Sequence, residues 1–409
     1  MRKFIVIVVV ALVVLSGSGF YVYKINDVNE TYENNEIKND SNMLSMMLET
    51  SAGSGEYQKT SASAWPTEGY VFNENISKCE RGSKLTWDEN KKTVIMNGNV
   101  SDKCYVYFDK TISLADYVKA QYTSQGANNL YLHDNSLTNG AKDNSYRYAG
   151  PSETTNNFVC FGYDSTDGSC PSDNLYRIIG VFGDEVKLIK YDYAKSTFLG
   201  TDGDYGQTYQ AAGYGGTNKG QNSKSEIGVY YWNNNTQNNT WSESRLNTIN
   251  LNKNYINKID ENGTKWSEKI SDHTWKVGGN TWSNIATQTA PTAYQNEINS
   301  PATNKTVNAK VGLMYVSDYG YAASSSSWST TLYNYNNVIA NNWMYMGLYE
   351  WTLAPRTDDS DNHFNVYFTG RVNSYYVNAN YAARPVLYLK STIGYGGGSG
   401  TAAKPILVK

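Results

Sequence analysis

The side chains with reactive potential are few: His133, His273 and His363, the cysteines Cys79, Cys104, Cys160 and Cys170, and the acidic run Asp358, Asp359 and Asp361. Zinc or iron would need histidines at paired spacing, and no HExxH or similar pair occurs. The cysteines form no C-x-x-C pair and have no histidine close by, so their spacing suits structural disulfides. The simplest of three possible pairings is 79–104 with 160–170, each contributing roughly 3 kcal/mol by loop closure. The acidic run offers several hard oxygens together, as a calcium loop would, but without a full ligand register; a solvated turn has the same composition. Asp202 and Asp204 lie in a glycine-rich loop, where solvation is the default. No G-x-S-x-G motif is present, and "GYGGGSG" at 394–400 lies between two terminal strands and not at a strand–helix turn, so it is no phosphate loop. The expectation is a non-enzyme with no catalytic residue, no metal and no cofactor, calcium being the one alternative.

What remains is recognition chemistry. Between Asn341 and Tyr381 the chain is dominated by Asn, Tyr, Asp, His and Ser, as in "TDDSDNHFN" and "NSYYVNANY". Tyrosine gives flat contact area with a hydrogen-bonding tip, and Asn, Asp and Ser satisfy polar partners. The candidate ligand-binding residues are Trp343, Tyr345, Tyr349, Asp358, Asp359, Asp361, Asn362, His363, Asn365, Tyr367, Asn373, Tyr375, Tyr376, Asn378 and Asn380. AT-rich codon usage gives the same bias, as "YYWNNNTQNNTW" at 230–241 shows. Trp328, Trp343 and Trp351 suit a core as well as a platform, and Trp351 reads better as core.

The bulk composition sets the compartment. A net charge of −3 over 409 residues leaves no electrostatic footprint for nucleic acid. Charged residues make up only 18%, against 36 tyrosines, which is a habit of exposed recognition proteins more than of cytosolic enzymes. Arg2 and Lys3 precede an apolar run from Phe4, read either as a secretory signal or, through Tyr23, as a membrane-spanning anchor. Either way the rest is exported, and the lack of a clean A-x-A site favours the uncleaved anchor. The expected location is the cell surface, or the medium if the segment is cleaved.

The elements that must position these residues are read from hydrophobic spacing. We expect a signal anchor over 1–24, a polar stalk over 25–65 and a small all-β module over 66–110, with a hairpin between "KLTW" and "KTVIM". A linker helix over 111–126 has apolar residues Leu114, Tyr117, Val118 and Tyr122 at helical spacing. The large domain, 127–409, carries the hairpin "NLYRIIGVFGDEVKLIKY", an Asn-interrupted amphipathic helix in "WSESRLNTINLNKNYINKI", a strand and polar loop in "AKVGLMYVSDYGYA", and strands at "RPVLYLK" and "KPILVK". The class is α+β, with small antiparallel sheets and long loops.

The ordered series "YRIIGVFGDEVKLIK", "WSESRLNTINLN", "KVGLMYVSDYGYA", "YEWTLAPR" and "AARPVLYLK" resembles a family of exported proteins from gut-associated Gram-positive bacteria. That family looks like the formylglycine-generating-enzyme (sulfatase-modifying-factor) branch of the C-type lectin fold. Arg384-Pro385 after Ala382-Ala383 is similar to the branch's core strand, where Gly-Phe stands before Arg-Pro. The enzymes of the branch use a cysteine pair near the C-terminal end of the domain, whereas the last cysteine here is Cys170. The fold therefore implies no catalysis. The same fold displays the products of diversity-generating retroelements, in which adenine-rich Asn codons vary to Tyr, Asp, His and Ser. Fixed pieces such as Glu350-Trp351-Thr352, Gly370-Arg371 and Arg384-Pro385, interrupted by that residue set, match such a repeat. The resemblance implies a surface binder of a glycan, a protein or another cell; the alternative readings are a structural spacer of the envelope and, behind it, a sulfatase-modifying-type enzyme.

Overall fold

The computed structural model describes residues 21–26, 29–34, 44–52, 54–61, 64–66, 69–98, 102–165, 168–285, 287–299 and 305–409, with 21–34 and 262 described by backbone alone. The chain divides into two compact units, Met1–Ser113 and Leu114–Lys409.

In the smaller unit, Lys84–Asp88 and Thr93–Gly98 form the expected hairpin, with Asp88 opposite Thr93. Cys104–Lys110 pairs with Tyr70–Phe72 and Lys78–Cys79, and the Cys79–Cys104 disulfide closes across that pairing. Within the stretch expected as a stalk, residues 44–49 and 57–59 are in fact strands of this module. Leu44–Glu49 runs parallel to Cys104–Lys110 and antiparallel to Tyr57–Lys59. Leu44 and Met46, two residues apart on one face of this strand, enter a core with Leu85, Val94, Met96, Val106 and Phe108. A strand flanked on both sides is read poorly from a short apolar run.

The anchor expectation falls mainly on residues 1–20, outside the described residues. Its last residues, from Tyr21, belong to the strand Tyr21–Asn26, which pairs with Asn29–Asn34. Among the described residues no helix is long and apolar enough to cross a membrane.

The larger unit begins with the helix Leu114–Ala120, whose Leu114, Ala115 and Val118 are buried in this unit's own core. The segment expected as a linker is thus the unit's first element. The central sheet contains Leu130–Leu132, Tyr146–Tyr148, Leu175–Phe182, Glu185–Lys190, Val386–Leu389 and Val311–Gly312 in that spatial order. Phe158–Cys160 pairs with Leu175–Phe182 and, in parallel, with the terminal strand Ile406–Leu407. The hairpin Leu175–Phe182/Glu185–Lys190 turns at Gly183, whose φ of 61° suits glycine. Cys160 and Cys170 are bonded, so both expected disulfides are present.

Two readings need correction here. The Asn-interrupted helix is one π-wound stretch, Leu246–Tyr255, continuing into Ile256–Ile259. Its asparagines are anchors: the Asn250 amide donates to the Leu199 and Asp202 carbonyls at 2.7 and 2.9 Å and accepts from Asp204 N–H. The polar loop after "KVGLM" is the helix Val316–Tyr321, started by a capping box in which Asp318 accepts the Tyr315 N–H at 2.9 Å. The observed class is α+β with small, mostly antiparallel sheets.

Candidate functional site: a tyrosine platform

A three-stranded antiparallel sheet, Glu350–Pro355, Asn362–Val366 and Val372–Tyr376, carries six of the fifteen candidate residues. Directly opposed residues share a face, so Trp351, Asn365 and Asn373 stand together, as do His363 and Tyr375. Arg384 anchors this sheet's first strand, clasping Glu350 through two charge-assisted bonds of 2.7 and 2.9 Å, both side chains buried.

The structure separates the candidates by burial. Trp343, Tyr345, Asn362, His363, Asn365 and Asn373 are buried, contrary to the expectation of a solvent-facing ligand surface. Trp343 donates its indole N–H to the Tyr148 carbonyl at 2.8 Å and lies beneath the Arg177 guanidinium. The Tyr345 hydroxyl bonds the Phe368 carbonyl. Asn362 donates to Asp359 and Asp361. His363 stacks on Trp232 at 3.9 Å, and burial pushes its imidazole down to about 3, which keeps it neutral. Tyr349, Tyr367 and Asn380 are half-buried, while Tyr375, Tyr376 and Asn378 are exposed.

The rings form a continuous set that opens to solvent at Tyr375 and Tyr376 and runs inward through Tyr381, which is buried. Tyr376 touches Tyr375 (5.6 Å between centroids), Tyr375 lies 6.2 Å from Tyr381, Tyr381 stacks on Tyr349 at 5.0 Å, and Tyr349 meets Tyr367 edge-on at 4.8 Å. Phe368 and Tyr214 complete it, 5.3 and 5.4 Å from Tyr349. Tyr375 and Tyr376 are 45% and 52% exposed, the most open of the large hydrophobic side chains among the described residues. The Arg371 guanidinium lies 4.6 Å over the Tyr367 ring and donates to the Tyr333 hydroxyl at 2.9 Å. Burial pushes the Tyr214, Tyr349 and Tyr381 phenols up, so these rings present neutral hydroxyls. The Tyr214 hydroxyl donates to the Asn380 side chain at 3.1 Å.

Tyr214, Phe368, Arg371 and Tyr381 were not among the residues expected from sequence. A signal for Tyr214 existed in its glycine flanks. A Cβ at Gly216, where φ is +98°, would come within 2.3 Å of the Gly347 carbonyl, so only glycine lets this loop close on the platform.

The acidic run stands apart from the rings in its bonding. Asp358 takes two contacts of 3.1 Å from Arg356 and accepts the Trp282 N–H, and Arg356 also reaches Asp359 at 3.2 Å. Arg356 holds the Asp358 carboxyl below its ordinary value. Among the described residues no group of three or more His, Cys, Asp or Glu side chains is arranged to hold a metal ion. The three histidines pack in different surroundings: His133 against Tyr321 and Trp328, His273 on Tyr388, and His363 on Trp232.

No family model, curated protein or solved structure matches this chain.

Proposed function

We propose that this is a ligand-binding protein of a bacterial cell surface, and that its larger unit is a C-type lectin-like module binding through the tyrosine platform. The observation that carries the reading is the run of rings from Tyr376 through Tyr375, Tyr381 and Tyr349 to Tyr367, open to solvent at one end. Stacked phenols offer flat apolar faces for sugar rings or aromatic side chains, with hydroxyls at their edges. The two disulfides are consistent with an oxidising compartment, and export through the N-terminal segment is part of the proposal. The proposed role is binding without catalysis and without calcium, since Arg356 already engages Asp358 and Asp359 of the acidic turn.

The test is a glycan array and a host-cell adhesion assay with the full chain and a Tyr367→Ala/Tyr375→Ala/Tyr376→Ala variant. A few aromatic anchors carry most of the energy of such patches, so the variant should lose about tenfold or more in affinity while keeping its thermal transition. Chelation with EDTA should leave binding unchanged. Equal binding by wild type and variant would point to a spacer of the envelope.

A further inference from the structure

The larger unit buries a lysine and an aspartate in direct contact, at a place remote in sequence from the platform residues. Lys187, on the strand Glu185–Lys190, points its ammonium at Asp318 on the helix Val316–Tyr321, with Nζ 2.6 Å from Oδ2. The two side chains are 1% and 2% exposed. Four rings enclose the amine: Tyr315 at 4.6 Å, Tyr388 at 5.3 Å, Phe182 at 5.5 Å and Trp275 at 5.8 Å. Desolvation dominates here and lowers the lysine's proton affinity, which moves it towards the nucleophilic free amine. As an ion pair this arrangement is a poor stabiliser, because two charges have left water for one contact.

The surroundings of Asp318 suit attack on its carboxyl carbon. Oδ2 accepts the Tyr315 N–H at 2.9 Å, and Arg147 Nη1 stands 4.0 Å from Oδ1. Arg147 is itself matched by Asp143 at 2.6 Å, so its charge is held in place by a partner of its own. A third buried carboxyl, Glu297, sits at the same helix start, accepting the Val316 and Ser317 N–H groups at 3.1 and 3.0 Å. Burial pushes Glu297 up to about 7, so near neutral pH it can hold or release a proton.

We infer that Lys187 and Asp318 join in an intramolecular amide bond, formed after folding and without an added reagent. The Lys187 amine attacks Asp318 Cγ, and the negative charge develops on Oδ1, on the side of Arg147. The C–Oδ2 bond then breaks. Of the three hydrogens on the ammonium nitrogen, two depart with Oδ2 as water and one remains on the amide. Atoms and charge balance, nothing is oxidised, and the amine already touches the carboxyl group in a dry site. Glu297 is a positioning residue in this scheme, bracing the start of the helix that carries Asp318. The bond would span 131 residues and tie the central sheet to the helix beneath the platform's first strand.

The first test needs no variant. The full-length protein, purified, reduced, alkylated and digested with trypsin, should yield residues 178–190 joined to residues 311–356, one water lighter than the two linear peptides together. Trypsin should fail to cut after Lys187. Asp318→Ala should release both linear peptides and restore cleavage at Lys187, whereas Asp318→Asn should give the same joined species by loss of ammonia. Linear peptides from the wild type, with full cleavage after Lys187, would overturn the inference and leave a buried ion pair.

Discussion

At the scale of single residues, the polar side chains of the 341–381 segment divide by the face of the strand they occupy. Along "NHFNV", period-two alternation directs Phe364 and Val366 inward and would leave His363 and Asn365 outside. The sheet is instead covered on both sides, and Trp232 and Trp351 roof the His363 face. Alternation reports which residues share a face, and cannot report that a second layer covers it. The neutral imidazole has a consequence for stability. His363 titrates near 3 when folded against a reference of 6.5, so its contribution is complete above pH 6.5 and is lost as pH falls towards 3. Glu297 acts in the opposite sense: raised from 4.5 to about 7, it favours the fold at low pH, and that advantage disappears as pH rises through about 7. Denaturant titrations of wild type, His363→Phe and Glu297→Gln across roughly pH 4 to 8 should separate them. The wild-type-minus-His363→Phe difference should fall on acidification, and the wild-type-minus-Glu297→Gln difference should fall on alkalinisation.

At the scale of elements, the hairpins and the two disulfides were legible, because glycine turns, alternating apolar runs and cysteine spacing are local signals. The strand Leu44–Glu49 and the helix Val316–Tyr321 were not. The first depends on a distant parallel partner at Cys104–Lys110, and the second on a cap made by Asp318, which reads as a loop residue without its partners. The loop bearing Tyr214 depends on backbone contact: Gly216 lies against the Gly347 carbonyl and the Phe368 side chain. Gly216→Ala should therefore cost about 1–3 kcal/mol by forcing a Cβ into a left-handed position against backbone. It should also weaken ligand binding in the array assay, because Tyr214 loses its seat beside Tyr349. Unchanged stability would mean that the loop can move aside.

At the scale of the whole molecule, the sequence led to the α+β class and to a chain with two disulfides, but drew the division between its parts too late. Helix Leu114–Ala120 belongs to the larger unit because Leu114, Ala115 and Val118 need that unit's core. The resemblance to retroelement-displayed proteins implies a diversified surface, and the burial pattern says where such variation would have to fall. Across natural variants, adenine-derived changes should concentrate at Tyr367, Tyr375, Tyr376 and Asn378. Asn365 and His363, which are fully buried, should stay fixed. Population sequencing of these codons checks this, and variation spread evenly over buried and exposed positions would count against diversification of a binding face. The two ends of the larger unit have a separate consequence. The Leu114 N–H bonds the Ile393 carbonyl at 2.7 Å, Gly394 exchanges two backbone bonds with Lys409, and Tyr117 stacks on Tyr395. The unit's first helix and its last residues are thus fastened to each other, like the two halves of a clasp, so fraying at one of them would loosen the other.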